Sequence, residues 1–170
     1  MSKERTPSIP PQAASVAFLL SKVGRTQAQR FTDRLGPLGL RPRHFLLLNN
    51  VALNEGSSQQ QLGDRLALDP SGLVAVIDDL EGAGLVERRH DPADRRRYAI
   101  HLTPTGRRRL ERARQVAMER ERELLAPLSQ REQELLHDLL LRIAAVDDPS
   151  FGPEVPAEPV PASTAVSKPR

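Results

Sequence analysis

The chain has 170 residues, with 25 Lys and Arg against 22 Asp and Glu and a net charge of +3. That length suits one ordinary domain with tails, and so small a net charge means that attraction to a polyanion must come from local clustering. The absence of cysteine excludes disulfide frameworks, thiol redox switches and cysteine-based metal or nucleophile sites.

The N-terminal MSKERTPSIPPQ has no apolar signal core, and no run approaches the roughly 18 uninterrupted apolar residues of a membrane helix. The expectation is a cytoplasmic protein without membrane contact. Residues 1–11, with Pro7, Pro10 and Pro11, are expected to be flexible, and the folded part to span 12–146. From Ala13 to Leu35, Val16, Phe18, Leu19, Leu20, Val23, Phe31 and Leu35 recur at spacings of three and four, the mark of one long helix. GPLG at 36–39 stops it. Pro42 opens a second helix reaching Leu53, whose Phe45, Leu46, Leu47, Leu48, Val51 and Leu53 mark it as a core element.

SSQQQLGDRLAL then places Gln60 and Gln61 three residues after Ser57 and Ser58, the capping-box arrangement. In LDPSGLVAVIDDLEGAGL, Asp69 is a natural N-cap, Pro70 fits the first helical position, and Gly82 and Gly84 flank the end. Two short helices so closely joined form a helix-turn-helix signature over about 57–82. LVERR and RRYAIHL, around the turn-forming DPAD, read as an antiparallel hairpin over about 85–102. Helix pair plus hairpin makes a winged helix: a mainly α fold with a small β-hairpin wing. In LTPTGRRRL, Thr103 caps and Pro104 opens a long helix through Leu110, Val116, Met118 and Leu124 to about Ala126, where Pro127 ends it. Ser129 and Glu132 form another capping box before a last helix carrying Leu135, Leu136, Leu139, Leu140, Ile143 and Val146. The Pro/Ala-rich stretch 147–170 has too little to bury and is expected to be disordered.

A helix-turn-helix sets its second helix in the major groove. On the helix starting at Pro70, Ser71, Gly72 and Ala75, with Val76 and Asp79 farther along, are expected to face the groove. Leu73, Val74, Ile77 and Leu80 are expected to face the core. This helix has no Arg, Lys, Asn or Gln for a bidentate base contact, so base reading falls to Ser71, thymine-methyl contacts and DNA shape. Arginine comes instead from the hairpin. Arg95, Arg96 and Arg97 at its tip suit phosphates or a narrow minor groove, or else a solvated loop paired with Asp91 and Asp94; the helix pair before them favours DNA. Ser58 and Gln59 begin the supporting helix, whose free N–H groups serve a phosphate as well as simple capping. Arg107, Arg108 and Arg109 sit in a first helical turn, where cations oppose the macrodipole, a placement that suits a phosphate or a solvated face.

His44, beside Phe45, is a candidate to line an effector pocket or a satisfied, partly buried histidine. His44, His90, His101 and His137 lack metal-ligand spacing, and neither metal nor cofactor is expected. The few aromatics, Tyr98 among them, disfavour single-stranded nucleic acid. Without a Cys-His pair, a Gly-rich phosphate loop or a recognisable carboxylate pair, the chain does not read as an enzyme.

This order of elements resembles the MarR family of winged-helix transcriptional regulators over roughly residues 12–146, most specifically in GLVERR, DPADRR and LTPTG. The resemblance implies a homodimer interlocked by the first and the last two helices, which presents two winged domains to inverted-repeat double-stranded DNA and acts as a repressor. It also implies a small phenolic or other aromatic-acid effector bound between the dimerisation and DNA-binding parts. It further implies that Arg96 contacts DNA and that Asp78 holds it by an ion pair, with Arg95, Arg97 and Asp79 able to exchange roles. The alternative is a winged helix used only for protein contacts, in which the leucine-rich C-terminal helices dock a partner.

Overall fold

The computed structural model describes residues 15–66, 68–90, 98–148 and Phe151. The first helix, α1 (Val16–Leu35), starts where the Ser15 side chain accepts the Phe18 N–H. A 3-10 turn, Gly36–Leu38, follows, and Gly39 adopts φ 66°. That left-handed conformation, which glycine tolerates without a Cβ clash, lets the Leu40 N–H return to the Leu35 carbonyl at 3.2 Å. α2 (Pro42–Leu53) carries Leu47, Leu48 and Val51 inward. Leu46 and Leu53, expected in the core, are exposed instead. An amphipathic helix buries one stripe, and an apolar run longer than that stripe must leave some members outside.

α3 (Gln59–Leu66) opens on a capping box between Ser58 and Gln61: the Ser58 N–H donates to Gln61 Oε1 at 2.8 Å and the Gln61 N–H to Ser58 Oγ at 3.2 Å. Ser57 does other work. It is buried, donating to the Asn54 carbonyl and accepting Arg65 Nη1 at 2.7 Å. α4 (Pro70–Gly82) is capped by Asp69, whose carboxylate accepts the Gly72 N–H at 2.8 Å. It ends in a Schellman motif: Leu85 N–H reaches the Leu80 carbonyl, Gly84 N–H the Glu81 carbonyl, and Gly84 supplies the left-handed residue at φ 67°.

Strands β1 (Val86–His90) and β2 (Tyr98–Leu102) pair antiparallel, Val86 opposite Leu102 and His90 opposite Tyr98. The hairpin is tied back to the start of α3 by Ile100 N–H on the Ser57 carbonyl and a bridge between Ser58 and Ala99. α5 (Pro104–Leu125) begins at Thr103, whose hydroxyl accepts the Gly106 N–H and donates to the Gly84 carbonyl at 2.6 Å. The Thr103 N–H donates to the Leu85 carbonyl. A Cβ at Gly106 would lie 1.9 Å from that same carbonyl oxygen, so only glycine fits there. The LTPTG motif is thus the seam between the wing and α5.

Two compact units divide the chain, one to Leu124 and one from Leu125. The first holds a core of Leu35, Leu47, Leu48, Val51, Leu62, Leu73, Val76, Ile77, Leu80, Ile100 and Leu110, with Phe31 and Phe45 in edge contact at its margin. In the second, α6 (Gln130–Asp147) starts at the expected Ser129–Glu132 box, and Gln133 Nε2 caps the Leu125 and Leu128 carbonyls. No residue of α6 is buried. Among the described residues, no helix is long and apolar enough to cross a membrane.

Candidate nucleic-acid interface

α4 buries Leu73, Val76, Ile77 and Leu80. That i, i+3, i+4, i+7 stripe leaves Ser71, Val74, Ala75, Asp78 and Asp79 exposed. Two sequence expectations are corrected here: Val76 lies in the core, and Val74, 37% exposed, lies on the outward face. Either valine extends an apolar stripe from Leu73. Only Val76 keeps that stripe continuous as far as Leu80.

The acids of this helix are all met by arginine. Asp78 Oδ1 lies 2.5 Å from Arg88 Nη2, and Glu81 takes both Arg88 Nη1 and, at 3.2 Å, the Arg88 main-chain N–H. Burial opposes the charge on Arg88, but the bond to Asp78 and the charges of Glu81 and Asp78 outweigh it and hold the guanidinium above its ordinary range. Asp79 Oδ2 accepts Arg43 Nη2 at 3.2 Å and lies 3.9 Å from Arg41 Nη1. Asp69 is held below the usual carboxylate range by the Ser71 hydroxyl, 2.5 Å away, and by the Gly72 N–H. A helix that reads as acidic therefore presents little uncompensated negative charge.

Asp78 thus has Arg88 of β1 as a partner, and the expected partner Arg96, with Arg95 and Arg97, lies outside the described residues. Sequence reasoning did not assign Arg88 this role. Strand alternation from the buried Val86 was the available signal, since residues two apart share a face.

Ser58 and Gln59 stand at the start of α3, and Pro70 and Ser71 at the start of α4. A cleft of about 510 Å³ separates these two helix starts, with Gln59, Gln60 and Asp64 along one side and Pro70 and Leu73 along the other. Gly72 is half-buried beneath Asp69, and Ala75 is open. His44 is buried and does not line this cleft. Its Nδ1 accepts the Arg41 N–H at 3.3 Å, which leaves the proton on Nε2, 3.4 Å from Asp79 Oδ2. Burial pushes its pKa down against the opposing pull of Asp79.

Arg107, Arg108 and Arg109 are engaged within the chain: Arg107 pairs with Glu55, Arg108 Nη2 donates to Thr105 Oγ1, and Arg109 donates to the Leu38 carbonyl. These partners compensate the first-turn placement. Farther along α5, Arg114 reaches Asn49, and Arg120 sits over the Phe31 ring and donates to the Gln27 carbonyl. Among the described residues there is no His, Cys, Asp and Glu cluster able to hold a metal ion.

The sequence profile of the MarR family matches residues 38–97, from the end of the 3-10 turn past β1 to the residue before β2. A transcriptional regulatory protein proposed for the hcr operon of Thauera aromatica is 38% identical over 109 residues, 64% of this chain, and the chain spans 66% of that relative's length. A probable transcriptional regulator from Pseudomonas aeruginosa is 36% identical, with a TM-score of 0.67 over 76% of this chain and 96% of that one. The chain belongs to the MarR family. Its similarity extends to the transcriptional repressor CouR bound to a 23-mer DNA duplex, 30% identical, with a TM-score of 0.70 over 78% of this chain and 94% of that one. CouR from Rhodococcus jostii RHA1 bound to p-coumaroyl-CoA is 31% identical, with a TM-score of 0.68 over 80% and 96%. In this MarR-family chain the motifs GLVERR and LTPTG act as structure: the first supplies the Schellman turn and Arg88, the second the seam at Gly106.

Proposed function

We propose that this chain is a homodimeric, ligand-responsive repressor that binds an inverted-repeat DNA duplex. The observation that carries the reading is the outward face of α4, small and apolar at its first turns, with its acids neutralised by Arg88, Arg43 and Arg41. Such a helix brings its acids at 78, 79 and 81 to the phosphates already paired with arginine, and Asp69 keeps its charge at the N-cap. Arg95, Arg96 and Arg97, between β1 and β2 in sequence, with Ser58 and Gln59 at the start of α3, then supply the contacts to the DNA backbone. The duplex in the CouR complex supports the reading.

Dimerisation is supported by apolar side chains left open on α1 and on α6. The p-coumaroyl-CoA in the CouR complex supports an aromatic acyl or phenolic effector. An effector carboxylate that competed with Asp79 for His44, Arg43 and Arg41 would loosen α2 from α4 and so release the duplex.

The test is fluorescence anisotropy with duplexes enriched from genomic fragments by the purified chain. The expected result is a preferred inverted repeat whose affinity falls steeply with salt, and a weaker affinity with a flatter salt slope for the Arg95→Ala/Arg96→Ala variant. A chain that bound heparin and every duplex alike would point instead to a protein-docking winged helix.

A further inference from the structure

We infer that Val74, with Ala75 beside it, reads thymine 5-methyl groups in the major groove, so that the preferred sequence is set largely by where those methyls lie. The inference rests on the DNA-binding reading of the preceding subsection and names the chemistry recognised.

Base edges in the major groove offer hydrogen-bond donors and acceptors, and thymine alone adds a methyl group. The polar groups on the outward face of α4 are already occupied. The Ser71 hydroxyl donates to Asp69, and Asp78 is held by Arg88, itself fixed from its other side by Glu81. Asp79 turns toward Arg43, Arg41 and His44. What the first turns leave open is carbon. Val74 is 37% exposed while Leu73, Val76 and Ile77 around it are 2% or less. Ala75 is open beside it.

The N-terminal residues of a recognition helix are those that meet base edges. A branched side chain and a methyl at adjacent positions there form a patch suited to one or two thymine methyls in each half-site. Covering a group of that size gains about fourfold in affinity.

The experiment takes the preferred duplex, replaces each thymine in turn by deoxyuridine, which lacks only the 5-methyl, and measures Kd at fixed salt for the wild-type chain and for Val74→Ala. Wild type is expected to lose about fourfold at one or two thymines per half-site. Val74→Ala, whose thermal midpoint should be unchanged, is expected to bind the thymine duplex more weakly by that factor in each of the two half-sites, about sixteenfold in all. At those same positions it should lose most of its sensitivity to deoxyuridine. A wild-type chain insensitive to every deoxyuridine, or a Val74→Ala variant as sensitive as wild type, would overturn the inference and leave the DNA reading intact. A chain with no preferred duplex would overturn both.

Discussion

The winged core and the outer helices treat their apolar residues in opposite ways. Within the winged core a set of apolar side chains is fully sealed: Leu47, Leu48, Val51, Leu62 and Ile77 are 0% exposed. On α1, Val16, Leu19, Leu20 and Val23 form an i, i+3, i+4, i+7 stripe that stays open, and on α6 Leu135, Leu139, Ile143 and Val146, at i, i+4, i+8 and i+11, form another. Singly exposed apolar residues are ordinary, but repeated stripes mark a surface that something covers. The first region is complete within one chain; the second is completed by the second copy of the proposed homodimer.

The strongest way to break this contrast is Ile77→Ala, which opens a cavity at the centre of the sealed region. It should cost about 2–5 kcal/mol, read by chemical denaturation. Next, Leu139→Lys with Ile143→Lys should convert the dimer to monomer in sedimentation equilibrium while leaving the secondary structure of the winged core intact, because no residue of α6 is buried within the chain. Intact dimers would show that α6 is not the covered surface.

Acid weakens the sealed region in part through His44, which is buried and whose pKa is lowered by that burial. A histidine that binds its proton more readily unfolded than folded favours the native state above its ordinary value of about 6.5 and loses that contribution as the pH falls below it. Thermal midpoints should therefore drop between pH 7 and 5, and His44→Gln should flatten the drop. The smallest effect is expected at the margin of the core, where Ser58→Ala removes one half of the α3 capping box. Its cost is about 1 kcal/mol, measured by thermal melting.

Much of this architecture is legible in the sequence because its signals are local. Asp69, Pro70, Gly84, Thr103 and the Ser129–Glu132 box each act within a few residues, and each stands where it was expected. Misplacement came where two local readings were equally good. In LVAVI either Val74 or Val76 extends a stripe from Leu73, and burial fell on Val76; in SSQQQ, where both serines were open as caps, the box formed at Ser58 with Gln61. Long-range pairings left no local trace. Nothing near Arg107 or Arg109 announces Glu55 or the Leu38 carbonyl as their partners, and for Arg88 only strand alternation from Val86 pointed toward its meeting with Asp78.

The seam at Gly106 also has a mechanical meaning. Two hydrogen bonds from Thr103, and a glycine too close to the Leu85 carbonyl to admit a methyl, weld the first turn of α5 to the corner between α4 and β1. A 22-residue helix is a lever roughly 33 Å long. Its near end is fixed at this joint, so the end of α4, the root of the wing and the start of α5 hold one another's orientation through a single turn of chain.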